Sequence, residues 1–147
     1  MNERECLGGE ALPPVLLYWR TKTAESFDAR ARAEVADFVA GISATMPDCR
    51  AAIRGDAAAA VGLVVGRRIP EHIGVRVDLS MTVLLACAFF DPAAALVLSH
   101  TVARMPIELR KRARISASWS MHRIWLGSRR AGARAPKAPP PLKGGAS

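Results

Sequence analysis

Cysteine, histidine and aromatic side chains are scarce in this sequence of 147 residues, and acidic ones nearly vanish towards its end. Cys6, Cys49 and Cys87 are odd in number, widely separated and include no Cys-x-x-Cys pair. That pattern argues against a disulfide framework and against a thiolate zinc site, and reduced thiols in the cytoplasm are expected. His72, His100 and His122 lack the His-x-x-x-His spacing that sets two metal ligands on one helix face. Neither metal nor cofactor is expected. Aromatics make up only 5% of the chain, so its apolar half rests on Ala, Val, Leu and Ile. Such a composition favours helices over an aromatic-rich sheet. Its Ala- and Arg-heavy usage accords with a high-GC bacterial genome.

Catalytic and cofactor signatures are missing as well. Gly62-Leu-Val-Val-Gly66-Arg-Arg lacks the Gly-Lys-Ser/Thr of a phosphate loop, and no Gly-x-Gly-x-x-Gly follows a strand pattern. Ser99-His-Thr lacks the flanking glycines of a nucleophile elbow. Arg54-Gly55-Asp56 reads as a helix restart, and Pro136-x-x-Pro139 as an extended segment. The expectation is a non-enzymatic protein, with no small-molecule substrate inferred. The N-terminal residues mix acids with a short apolar patch and lack the basic start and long apolar run of a secretory signal.

Charge is distributed unevenly. Residues 1–100 carry 10 Lys/Arg against 12 Asp/Glu, whereas residues 101–147 carry 11 Lys/Arg and a single acid, Glu108. The net charge of +8 therefore belongs to the C-terminal third. A near-neutral body with a strongly basic end predicts contact with something anionic: nucleic acid, acidic lipid or an acidic protein face.

The chain divides at its prolines, glycines and capping residues. Residues 1–12 are expected to be flexible, residues 13–127 to form one helical domain, and residues 128–147 to be a disordered basic tail rich in Pro, Gly and Ala. After Pro13-Pro14, residues 15–23 (VLLYWRTKT) suit either a strand or a turn of helix. Thr23 is the candidate cap of a first helix whose apolar face is Phe27, Ala31, Val35, Phe38 and Ile42, ended by Gly41. Pro47-Asp48 opens a further helical stretch, and Asp56 caps the next one. Ile73, Val75, Val77 and Leu79 alternate with polar residues or glycine, a candidate minor strand, although Asp78 would also cap a following helix. From Leu79 to Val102 the chain is almost wholly apolar, with Asp91 and His100 its main exceptions. Asp91-Pro92 divides this run into two helices, an aspartate cap followed by a first-turn proline. A helix cap accounts for Asp91 more simply than a catalytic carboxylate does. The predicted fold is thus mainly α: a compact bundle of four or five helices around an apolar helical hairpin.

Residues 112–125, RARISASWSMHRIW, admit two readings. Ser116, Ser118 and Ser120 alternate with apolar residues as in a strand. On a helix, Ile115, Trp119, His122 and Leu126 share one stripe, with Ala113, Ala117 and Ile124 nearly opposite. The helix explains more, over residues 107–126. Arg110, Lys111, Arg112 and Arg114 stand at its start, where cations oppose the helix dipole, and Arg123, Arg129 and Arg130 follow. These seven are the candidate anion-binding residues; Trp119 and Trp125 could stack on bases if exposed, but the helical stripe places Trp119 in the core rather than on such a platform. Two alternatives accompany this reading. Residues 79–102 are long enough to anchor the chain in an inner membrane, although Asp91 and Pro92 at the midpoint weigh against it. Ile115, Trp119 and Leu126 are also a candidate interface for a homo-oligomer or a partner helix.

Overall fold

The computed structural model describes residues 13–42, 56–65 and 68–134, the side chains of 130–134 excepted. Among these residues, two 3-10 helices, Pro14–Arg20 and Ala24–Ser26, precede five α-helices. In order these are α1 (Ala29–Gly41), α2 (Ala57–Val64), α3 (Val75–Ala88), α4 (Pro92–Val102) and α5 (Leu109–Arg134). The chain is mainly helical, with no strand among the described residues. The restart expected at Pro47-Asp48 lies outside them.

Acidic side chains open most of these helices by satisfying amides that have no partner within the first turn. Asp28 accepts from the Ala31 amide at 2.8 Å, Asp56 from Ala59 at 3.1 Å and Asp91 from Ala94 at 2.9 Å. Pro92 is the first residue of α4, so the Asp91-Pro92 pair turns the chain as its residue types predict. Thr23 does not cap α1. It precedes the short Ala24–Ser26 turn with no side-chain cap bond, and Asp28 takes the role. The face of α1 shifts accordingly: Ala31, Val35 and Val39 are buried, while Phe38 and Ile42 are only partly covered.

α3 forms the centre. Met81, Val83, Leu84, Leu85, Cys87 and Ala88 are all buried, and α1, α2, α4 and the first 3-10 helix pack around it. A helix covered on nearly every side needs apolar residues at both odd and even positions. That is why the alternation at Ile73–Leu79 misleads: Val75 opens a helix, and the polar position Asp78 points inward. Asp78 is 1% exposed, accepts from the Trp19 indole at 2.8 Å and forms a two-pronged pair with Arg20, both bonds at 3.0 Å. The segment 15–20 is therefore neither strand nor α-helix. It is a 3-10 helix whose last two residues close over the start of α3.

Serines join α4 to α5. The Ser99 hydroxyl lies 2.8 Å from that of Ser120 and 3.1 Å from that of Ser116, and Ser116 donates to the Ser99 carbonyl at 2.9 Å. Ser118, two residues from each neighbour, points elsewhere and accepts from the Ala24 amide at 2.8 Å. The two-residue spacing of the serines thus reflects two helix faces with two different partners. α5 begins at Leu109 and runs through Gly127 to Arg134, so the boundary expected at 127 falls inside a helix. Residues 135–147 lie outside the described part.

Candidate anion-binding face of the last helix

α5 is anchored by Ile115, Trp119 and Leu126, which are 1%, 0% and 8% exposed. The stripe expected as a partner interface is taken up by the chain's own core. Trp119 packs there against Phe27, Phe89 and His122, with ring centroids 5.2–6.1 Å apart, and cannot serve as a base-stacking platform. Its indole nitrogen is buried without a hydrogen-bond partner.

With that side fixed inward, the 3.6-residue repeat sets Arg110, Arg114, Ala117, Met121, Ile124, Trp125 and Ser128 outward, and all of them are exposed. The seven candidate cations divide by environment. Arg110, Lys111 and Arg114 are exposed on the first turns. Arg112 turns back instead and donates to the Met105 carbonyl at 3.0 Å, closing the turn after α4. Arg123 is half-buried, its Nε enclosed without a partner. Arg129 is exposed and lies over the Trp125 ring, 4.8 Å from its centroid. Arg130 lies in α5, its side chain outside the described part.

Glu108 explains how three cations are tolerated at a helix start. Its two carboxylate oxygens accept from the amides of Arg110 and Lys111, each at 3.0 Å. Those bonds hold its carboxyl below the usual range, and the nearby charges of Lys111 and Arg114 assist. The carboxylate is thereby committed to the backbone. Among the described residues the one salt bridge is Arg20–Asp78, so no described cation of α5 forms an ion pair there, although Glu108 lies near enough to Lys111 and Arg114 to feel their charge.

Comparison with protein-family models, curated proteins and solved structures finds no match for this chain.

A second feature flanks the same helix. The Ala24–Ser26 turn, α1 and α5 enclose an open cleft of about 360 Å³, lined by Ala24, Glu25, Phe27, Arg32, Ser118, Met121, His122 and Trp125. At its floor, His122 Nε2 sits 3.1 Å from the Phe89 carbonyl. A carbonyl only accepts, so Nε2 carries the proton in the neutral ring and Nδ1 is left as an acceptor. Burial pushes the His122 imidazole below its ordinary range against the pull of that carbonyl, and the Arg32 charge adds to the fall. Arg32 lies over the Phe89 ring at 4.8 Å. Neither Arg32 nor His122 stands out in the sequence as part of a site. The usable signal is the four-residue spacing from Trp125 to Arg129, which sets a guanidinium over the ring.

No group of three or more metal-ligating side chains occurs among the described residues. None of the helices there is long and apolar enough to cross a membrane. The hairpin formed by α3 and α4 is instead buried beneath α1, α2 and α5.

Proposed function

We propose that this chain is a non-enzymatic binding protein that contacts nucleic acid or a similar polyanion through α5. The observation that carries this reading is the exposed trio Arg110, Lys111 and Arg114, which has no ion pair among the described residues. Their one acidic neighbour, Glu108, is engaged by backbone amides. Arg129 adds a fourth exposed cation, about 22 Å further along the helix axis from Arg114 at 1.5 Å per residue. Arg110, Lys111, Arg114 and Arg129 are thus spread along one helix, and Lys137 and Lys143 follow in the sequence, a distribution suited to neutralising successive phosphates. Trp125 supplies an aromatic surface beside that line, already flanked by Arg129. Arg112 is drawn into the fold by the Met105 carbonyl, and Arg123 is half-buried, so neither belongs to the exposed set.

The test is the salt dependence of binding to a short DNA duplex. Replacing Arg110, Lys111 and Arg114 by Gln together should weaken binding and flatten the plot of log affinity against log salt by roughly two to three, as expected when three phosphates are no longer neutralised. Arg30→Gln, an exposed cation on α1, should change the slope by about one at most. An unchanged slope in the triple variant overturns the reading.

A further inference from the structure

We infer that the cleft between the Ala24–Ser26 turn, α1 and α5 is a binding site for a small organic anion with a flat apolar body. The inference does not rest on polyanion binding, because the cleft's cation is Arg32 on α1 rather than the trio at the start of α5, although Trp125 borders both surfaces. A volume of about 360 Å³ lies within the range of small-molecule sites, which are mostly apolar with a few convergent polar groups. The apolar walls are Phe27, Met121 and Trp125. Met121 is 67% exposed and Trp125 49%, so both keep surface that a ligand can cover.

The lining holds one cation, Arg32, and one carboxylate, Glu25, which differ in burial. Arg32 is half-buried, held over the Phe89 ring, and has no carboxylate partner among the described residues. A guanidinium that has lost part of its water beside apolar walls gains more from a carboxylate or sulfonate than an exposed one does. Burial, and after it the Arg32 charge, disfavour the charged form of His122 against the pull of the Phe89 carbonyl. Glu25, the one acid in the lining, is exposed. Opposite it in charge, Arg129 rides on the Trp125 ring. A planar body against Met121 and Trp125 with its anionic group on Arg32 satisfies both kinds of surface at once.

The probe is 2-naphthoate, titrated calorimetrically into the full chain, with the uncharged 2-naphthamide as its isostere. One-to-one binding of naphthoate, clearly tighter than naphthamide, is the expected result. Arg32→Gln should weaken naphthoate roughly tenfold or more, the scale of one charge-assisted hydrogen bond, and leave naphthamide unchanged. Because Arg32 also covers Phe89, Arg32→Lys serves as the companion variant: it keeps the charge and should recover part of the loss. Met121→Asp should weaken both compounds. Joint replacement of Arg110, Lys111 and Arg114 by Gln should alter neither. No naphthoate binding overturns the proposal, as does equal affinity for the two compounds or an affinity indifferent to Arg32→Gln.

Discussion

The Trp19 indole donates its proton to Asp78 Oδ1 at 2.8 Å, joining residues 59 positions apart beneath the surface. Arg20 grips the same carboxylate through both of its oxygens. Asp78 is thus an interior charge with a complete set of partners, the condition under which a buried carboxylate is tolerated.

Asp78→Ala should leave a buried indole N–H and a partly enclosed guanidinium without an acceptor. The expected loss is about 3 kcal/mol, the lower end for a broken buried pair, because the Arg20 side chain remains 28% exposed. Asp78→Asn retains an oxygen for the Trp19 proton and should cost less. Urea unfolding checks both, and a loss below about 1 kcal/mol for the alanine variant would show that the pair is not structural.

Ser99→Ala adds no bulk and removes the hydroxyl between Ser116 and Ser120. The expected destabilisation is about 1–3 kcal/mol, the cost of leaving enclosed polar groups without a partner. Ser128→Ala, on the exposed side of α5, should stay within about 0.5 kcal/mol. Equal melting temperatures for the two variants would contradict the serine contact.

Cys87 should resist alkylation in the folded protein. Burial pushes its thiol up to about 11, and the nearby Asp91 and Asp56 carboxylates push the same way. In a chain carrying Cys6→Ser and Cys49→Ser, iodoacetamide at mildly alkaline pH should react at least about a hundredfold more slowly than after unfolding, since the thiolate is the nucleophile. The sign for stability follows from the same shift. An unfolded thiol titrates near ~8.5, so the Cys87 contribution is complete below that value and is lost as pH rises towards about 11. Labelling of the native chain at the unfolded rate would refute the burial.

The parts of the fold legible in the sequence are those fixed by neighbours along the chain. Asp91 beside Pro92 and Asp56 before an alanine run each need only the amide three residues on, and both cap as the residues suggest. Ile115, Trp119 and Leu126 are legible as one helical stripe for the same reason. Features that depend on distant partners are not. Asp78 reads as the polar half of a strand because Trp19 and Arg20 lie 59 and 58 positions away. Three serines in alternation look alike in sequence, yet two face Ser99 and one faces Ala24. At the candidate site, charge density marks seven cations without distinguishing Arg112, drawn to the Met105 carbonyl, from the exposed Arg110 and Arg114. Arg32 carries no mark of its role along the chain, because its place in the cleft arises only when α1 meets α5.

Ile115, Trp119 and Leu126 do more than fill space, since three anchors on a single rod fix its angle of rotation. Turning α5 by one residue about its axis, about 100°, would carry Arg110 and Arg114 away from the line they share with Met121. The orientation of the surface is therefore stored in the interior. On the binding role proposed for α5, a change at Trp119 and a change at Arg114 would both lower affinity, the first by disturbing the seat of the helix and the second by removing a surface charge.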